Sequence, residues 1–486
     1  MKKVILITLV VVILSCSKDE IVTQNTTSVV LKQPINSFTW KALNSWYKWQ
    51  QQVPSLANES LYKNSNAYHT YLNGFETPQD LFESLKHEED EFSWFIEDYE
   101  KQQQSFEGIY TGFGIYFSSP VEIGNNKVIR YIERVIPNSP AATANFKRGD
   151  IINGINNQTM TLTNHEDVYS TLFDVNSAEF IFTENDGITV KNKITINKGP
   201  VSDNPVIQTK TFDDIAGKKV GYIAYGSFRS SYNDELNTAF ADLKSAGIQE
   251  LILDLRINGG GSIQTCGYLT SMIYGEAEAQ KQTFAELKYN HKHTDSNYKF
   301  KFSHNLNVFD SNLNLTGTQT INRLTGLNRL YVLTTNRTAS ASELVINALK
   351  PFIEVIIIGD RTRGKNEASL TLYDSPTSDY LDKSSADPSH KMAMQPIVSQ
   401  VYNSVGNSDY DDGFEPDIWI EATNFWNETL PFGDENEVLL KTALNHIKGI
   451  TTKPSNKSVK SVKLKETYRK FESEMYIDKY LLTVTK

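Results

Sequence analysis

Leu251-Ile252-Leu253-Asp254-Leu255-Arg256-Ile257-Asn258-Gly259-Gly260-Gly261-Ser262 is the stretch that decides the fold. Residues 251–255, nearly all apolar, match a parallel strand buried on both faces. Three consecutive glycines let backbone come close to a ligand or another segment, and a helix follows to about Gly275. No Gly-Lys-Ser/Thr comes after them, which argues against a nucleotide loop. Upstream, residues 219–225 read as another apolar strand, and Leu236, Phe240 and Leu243 mark one face of a helix stopped by Gly247. Downstream, residues 330–335 form a strand that feeds Asn336-Arg337-Thr338-Ala339-Ser340-Ala341-Ser342-Glu343, the opening of a helix through Leu349. Residues 355–358 form a third strand leading into Gly359-Asp360-Arg361-Thr362-Arg363-Gly364-Lys365. Strand–helix–strand repetition implies a mainly parallel sheet, whose βα turns open on one edge where sites gather. A Ser in a first helical turn is ordinarily a cap, and a loop lysine is ordinarily solvated; the shared edge is what singles out Ser340 and Lys365.

Before this core, residues 106 to about 200 change to short alternating strands. Tyr110-Thr111-Gly112-Phe113-Gly114-Ile115 precedes one strand and residues 128–135 form another. Pro137-Asn138-Ser139-Pro140-Ala141-Ala142 reads as a helix start with Ser at the cap and Pro in the first turn. Asn145, tolerant of the left-handed conformation, should stop that helix. Earlier still, Trp40, Leu43, Trp46 and Trp49, then Leu81, Leu85, Phe92 and Phe95, recur with helical rhythm, an aromatic stripe expected to be core.

The first residues read as an address. Lys2 and Lys3 precede an apolar run over 4–14, too short to span a bilayer, so residues 1–15 are expected to be a signal peptide. Residues 16–36 then serve as a polar tether. Composition excludes further classes. The chain has 486 residues, and 48 Lys+Arg against 58 Asp+Glu give a net charge of −10, the wrong sign for a general nucleic-acid binder. A chain that is 39% hydrophobic and 11% aromatic builds cores rather than staying disordered. Its two cysteines, Cys16 and Cys266, make no disulfide framework, and the histidines show no His-Glu-x-x-His, so no metal or cofactor is expected.

Three resemblances follow from these residues. Ile13-Leu14-Ser15-Cys16 resembles a bacterial lipobox, which implies acylation of Cys16; Ser17-Lys18-Asp19-Glu20 resembles the surface-export signal of Bacteroidetes lipoproteins. Together they imply a cell-envelope protein, lipid-anchored to the outer membrane, with surface display as the further expectation. Ser139-Pro140-Ala141-Ala142 with Arg148-Gly149-Asp150-Ile151-Ile152 resembles a PDZ domain, implying that Gly112, Phe113, Gly114 and Ile115 receive a peptide carboxylate. Thr338-Ala339-Ser340-Ala341-Ser342-Glu343 with Gly364-Lys365, the Asp254-Leu255-Arg256 glycine turn, and Gly413-Phe414-Glu415-Pro416-Asp417 resemble the C-terminal processing (tail-specific) serine peptidases. Leu430-Pro431-Phe432-Gly433-Asp434 lies near that family's expected place.

The resemblance implies a Ser–Lys dyad, with Ser340 as nucleophile and Lys365 as general base. It also implies an oxyanion hole from the N–H groups of Gly260 and Ala341. The base must be neutral to act, and the apolar run 355–358 is the expected source of a dry environment. Ser342 and Glu343 are expected to orient the turn rather than react. One departure stands out: the family commonly carries Gln four residues after the Lys, and here Ser369 stands there as the candidate base-orienting residue, with Asn366 for a usual Gly.

The expected fold is multidomain α+β, whose α/β protease core has crotonase-like or ClpP-like layered β-α units. Its segments are the signal peptide 1–15, tether 16–36, helical region 37–104, PDZ-like domain 105–203, serine protease core 204–450 and basic tail 451–486. The expected activity is that of a membrane-anchored serine endopeptidase acting on polypeptides through their C-termini. The alternative is a non-catalytic peptide-binding lipoprotein; a Ser–His protease is disfavoured because no His sits beside a comparable motif. Between residues 276 and about 328 lies an insertion in which His291 and His293 alternate on an expected strand over 288–293; they are expected to be solvated, although a metal pair is conceivable there. The tail from residue 453 on holds nine Lys/Arg and four Asp/Glu; Leu464, Tyr468 and Phe471 hint at a helix, and a solvated face is expected.

Overall fold

The computed structural model describes residues 28–276, 279–310, 314–450, 464 and 474–478. The signal peptide, Cys16, most of the tether and most of the tail lie outside the described residues.

The core is a six-stranded sheet. In chain order its strands are β1 (Val206–Ile215), β2 (Lys218–Tyr225), β3 (Glu250–Asp254), β4 (Arg329–Thr334), β5 (Glu354–Gly359) and β6 (Ile418–Trp419), and they lie side by side in that order. Strand β1 pairs antiparallel with β2; every later pairing is parallel. Four helices flank it: α1 (Asn233–Ala246), α2 (Ile263–Ile273), α3 (Ala341–Leu349) and α4 (Val438–Ile447). Helix α1 ends where the sequence predicts, with Gly247 left-handed at φ 68°. Strands β3 and β4 are buried on both faces, as their apolar runs require.

The strand-rich module before the core has the expected arrangement. Strands Ile115–Phe117, Val128–Val135, Ile151–Ile155, Ser177–Thr183 and Val190–Asn197 form its sheet in that order, and helix His165–Asp174 packs on its core. Ser139 Oγ accepts from Ala142 N–H at 3.2 Å, and Asn145 takes φ 61° just past the short helix Pro140–Thr143.

Two boundaries differ from expectation. The first helix is Pro34–Trp46, so the tether's last residues are helical; Pro at the first helical position is preset for it. Residues 37–104 are not all helical: Trp94–Ile96 is a strand pairing with Ala393–Gln395 of the core. The aromatic stripe is core, as expected. Trp40, Trp46, Leu81 and Phe82 share one cluster with Phe240, Leu269 and Met394.

A second sheet carries the insertion and the end of the chain. Its order is Gly261–Ser262, Met475–Tyr476, Glu367–Ser369, Ile397–Asn403, Thr283–Tyr289 and Tyr298–Lys301. The expectation of a wholly solvated tail is corrected here. Residues 474–478 are buried between the glycine turn and the Lys365 loop, with Glu474 3% and Met475 0% exposed. His293 is likewise not on a strand and not simply solvated. It follows a turn after Tyr289, stacks on Trp46 with ring centroids 3.6 Å apart, and hydrogen-bonds Ser45 Oγ.

Candidate active site

The glycine turn after β3, the start of α3 and the loop after β5 meet at one sheet edge. Their supports are buried charges. Arg256 pairs with Asp254 at 2.8 Å and Glu437 at 2.5 Å, and Tyr222 Oη donates to Asp254. Removing one partner of so buried a network leaves an uncompensated charge, a loss of about 3–5 kcal/mol. Arg256 and Arg148 also lie over the Phe432 ring, which ties residues 430–434 to this edge.

Ser340 occupies the N-cap of α3 at φ 65°, ψ −116°. Such a backbone is costly for a non-glycine residue and persists only where its surroundings hold it. Here one side chain does so. Glu343 Oε2 accepts from Ser340 N–H at 2.7 Å and from Lys365 N–H at 2.9 Å; its Oε1 accepts from Gly364 N–H at 2.7 Å and Thr362 Oγ1 at 2.5 Å. A single carboxylate thus binds the loop of the expected nucleophile to the loop of the expected base. Burial pushes this carboxyl up to about 7, against the pull of its four donors. Thr362 in turn accepts from Phe414 N–H at 2.7 Å, which explains the Gly413-Phe414 motif beside it. Ser342 Oγ donates to Asn258 O at 2.9 Å. Glu343 and Ser342 therefore orient the turn, as expected.

Both Ser340 and Lys365 are 0% exposed, and Ser340 Oγ has no hydrogen-bond partner among the described residues. Gly260 lies against Ser340: a Cβ there would stand 2.8 Å from Ser340 Cβ and 3.0 Å from Ala341 N. The expected oxyanion residues are therefore adjacent to Ser340, but Gly260 N–H is engaged, donating to Asn258 Oδ1 at 2.9 Å.

Around Lys365 the structure adds residues that the motifs did not point to. Its Nζ lies 4.7 Å from the Phe92 ring centroid and 3.5 Å from Glu474 Oε2. The wall seen facing the amine is thus an aromatic ring of the N-terminal region, where the sequence pointed to the run 355–358. Ser369 Oγ donates to Glu474 Oε2 at 3.0 Å and accepts from Gln395 Nε2 at 2.9 Å. Trp94 Nε1 holds the other Glu474 oxygen at 2.8 Å. Burial pushes the Glu474 carboxyl up, and the Lys365 ammonium opposes that rise. The apolar run Met475-Tyr476-Ile477 between two acidic residues of a basic tail was the sequence signal for this strand. Asn366, the other departure, donates to Ser408 O and is structural.

A cavity of about 730 Å³ runs from residues 112–117 of the PDZ-like module, past Leu172, Phe173 and Lys198, to Gly259–Gly261, with Glu474 and Tyr476 at that end. Gly114 takes φ 79°, and the carbonyls of Phe113 and Gly114 are held by Ala141 and Ile136 N–H. Lys198 places a cation 5.5 Å from the Phe113 ring centroid. Among the described residues, one set of three possible metal ligands occurs, Asp374, Asp387 and His390, with His390 Nε2 3.4 Å from Asp374. Cys266 is a buried free thiol under α3, donating to Ala341 O.

Comparison with known proteins bears on the family and the fold. Residues 219–420 match peptidase family S41, residues 34–94 the peptidase S41 N-terminal domain and residues 107–177 the PDZ domain. The chain is 23% identical over 326 residues to carboxyl-terminal-processing peptidase 2, chloroplastic, of Arabidopsis thaliana, covering 63% of this chain and 58% of that one. It is 24% identical over 273 residues to the carboxyl-terminal-processing protease of Picosynechococcus, covering 55% and 58%. The chain thus spans a little over half the length of these curated relatives. A crystal structure described as an S41 protease from Bacteroides fragilis matches with a TM-score of 0.63 at 25% identity, covering 85% of this chain and 98% of that one.

Proposed function

The chain belongs to peptidase family S41, and we propose that it is a membrane-anchored serine endopeptidase of the C-terminal processing type, cutting unstructured polypeptides or protein tails. In this reading Ser340 Oγ attacks the peptide carbonyl as its proton passes to Lys365 Nζ. The leaving amine takes that proton, and water then hydrolyses the acyl-enzyme. Ala341 N–H, at the start of α3, faces the developing oxyanion with the helix dipole behind it; Gly260 N–H joins it once released from Asn258. The observation that carries the reading is the Glu343 carboxylate, which accepts from the backbone of both Ser340 and Lys365. A binding protein has no need to clamp these two loops together.

The second reading, a non-catalytic peptide-binding lipoprotein, is favoured by one fact: both dyad side chains are fully buried. A reduced, carboxymethylated protein offered to the purified mature chain separates the two. Wild type should cleave it, and Ser340→Ala and Lys365→Ala should each lose about 10³-fold or more, with little further loss on combination. Cleavage that persists in Ser340→Ala would overturn the assignment. The anchor rests on the lipobox resemblance at Cys16; among the described residues no helix is long and apolar enough to cross a membrane. Cys16→Ser should move the protein out of the membrane fraction, and retention there would sink the lipoprotein reading.

A further inference from the structure

We propose that Glu474, on the C-terminal strand, is the positioning residue of the Lys365 base, filling the role left open by Ser369. The proposal rests on the serine-peptidase reading above. Glu474 and Lys365 are 3% and 0% exposed, and Glu474 Oε2 lies 3.5 Å from Lys365 Nζ. The carboxylate is held at both oxygens. Trp94 Nε1 donates to Oε1 at 2.8 Å, Ser369 Oγ shares its proton between Oε2 at 3.0 Å and Met475 O at 3.1 Å, and Gln395 holds Ser369 at 2.9 Å.

The strand that carries it is equally fixed. Gly261 N–H donates to Glu474 O at 2.5 Å, and Ile477 N–H donates to Ser369 O at 3.1 Å. Asp478 Oδ2 accepts from Ser262 Oγ at 2.6 Å and Gln264 N–H at 3.2 Å, and its Oδ1 accepts from Ser230 Oγ at 3.2 Å. A Ser at position 369 has a shorter reach toward a lysine amine than a Gln; here its hydroxyl also contacts a carboxylate that lies 3.5 Å from that amine. The role is that of the acid in a catalytic triad, which orients the base and stabilises the cation formed when the base takes the serine proton. Asp478, Glu107, Tyr476 and Arg229 are the other titratable groups at this strand; Asp478 and Glu107 are turned to Ser230, Ser231 and Ser262. Glu343, raised to about 7, faces Lys365 from α3 through its backbone N–H and is present in every variant, so the shift is read between variants.

The test compares wild type, Glu474→Gln, Glu474→Ala and Trp94→Phe by turnover of the carboxymethylated protein across pH, by fluorophosphonate labelling of Ser340, and by thermal melting. Glu474→Ala should lose about 10²-fold in kcat with KM kept within about threefold, as for loss of a group that acts only through the base. Glu474→Gln removes an anion that favours the ammonium, so the acid limb of kcat/KM should move to lower pH, with a loss in kcat of about tenfold. Trp94→Phe frees one carboxylate oxygen and should show a smaller loss in kcat. Unchanged kcat and an unchanged limb in both Glu474 variants would overturn the proposal. So would a gain in activity, which would make the strand a plug. Equal losses in Gln and Ala with lowered melting and no shifted limb would mark Glu474 as structural only, and overturn it too. Failure of wild type itself to cleave or to be labelled would instead overturn the peptidase reading.

Discussion

At the residue scale, the site turns on a strained serine and the carboxylate that holds it. Glu343 satisfies three buried N–H groups and one hydroxyl that have no water to turn to. Truncating it orphans them, and each unsatisfied buried group costs about 1–3 kcal/mol. Glu343→Ala should therefore melt well below wild type and lose most labelling of Ser340; unchanged melting would show that the clamp is not needed. The pH dependence has a definite sign. With its carboxyl raised to about 7, the folded chain keeps a proton that the unfolded chain releases. Its share of stability is full at acid pH and is lost as pH rises through about 7. The melting difference between wild type and Glu343→Ala should shrink over that range.

At the element scale, the first helix reaches the insertion through one stacked pair. His293 lies on Trp46, accepts or donates at Ser45 Oγ, and faces Asp379 at 3.7 Å with Lys292 nearby. Burial lowers its affinity for a proton, opposed by Asp379. A histidine depressed in this way stabilises the fold above its ordinary value of 6.5, and that contribution is lost as pH falls through the depressed value. Exchange protection of Pro34–Trp46, corrected for the intrinsic pH dependence of amide exchange, should fall in wild type as pH drops below the ordinary histidine value of 6.5, and His293→Gln should flatten that dependence. Protection that stays constant across that range in wild type would remove the histidine from any such role.

At the scale of the whole molecule, the cavity joins the PDZ-like loop to the glycine turn beside Ser340. Its distal end is lined by residues 112–117 and by Lys198, whose Nζ donates to Phe173 O at 2.8 Å; on the proposed reading this end receives a peptide's terminal carboxylate in preference to an amide. Peptides ending in a free acid and an apolar side chain should be cleaved faster than their C-amidated copies. Gly114 is a poor place to test this, because any Cβ there strikes Ser139. Phe173→Asp, on the helix lining the cavity, should erase or invert the preference by placing a like charge in the groove. Acid and amide peptides cleaved alike by wild type would make the module a spacer.

Much was legible in the sequence for local reasons. The apolar run 251–255 specified a doubly buried strand, Gly247 and Asn145 took the left-handed conformations their positions demanded, and Ser139 capped its helix. The motifs located Ser340, Lys365 and Gly260 because each belongs to a turn whose shape depends on neighbouring residues. The surroundings of Lys365 depended on nothing local. Phe92 and Trp94 come from the N-terminal region, Gln395 from the strand Ala393–Gln395 that pairs with Trp94–Ile96, and Glu474 from near the end of the chain. Phe92 was legible only as part of an apolar stripe, none of the four carries a local signal for contact with Lys365, and the tail's basic composition pointed toward solvent. The sequence by itself determined which segments become strands, caps and turns, because those follow from periodicity and backbone preference over a few residues. Only the tertiary structure decided what stands around Lys365, because a buried charge finds its partner through space, and contacts between distant segments leave no periodic trace in either.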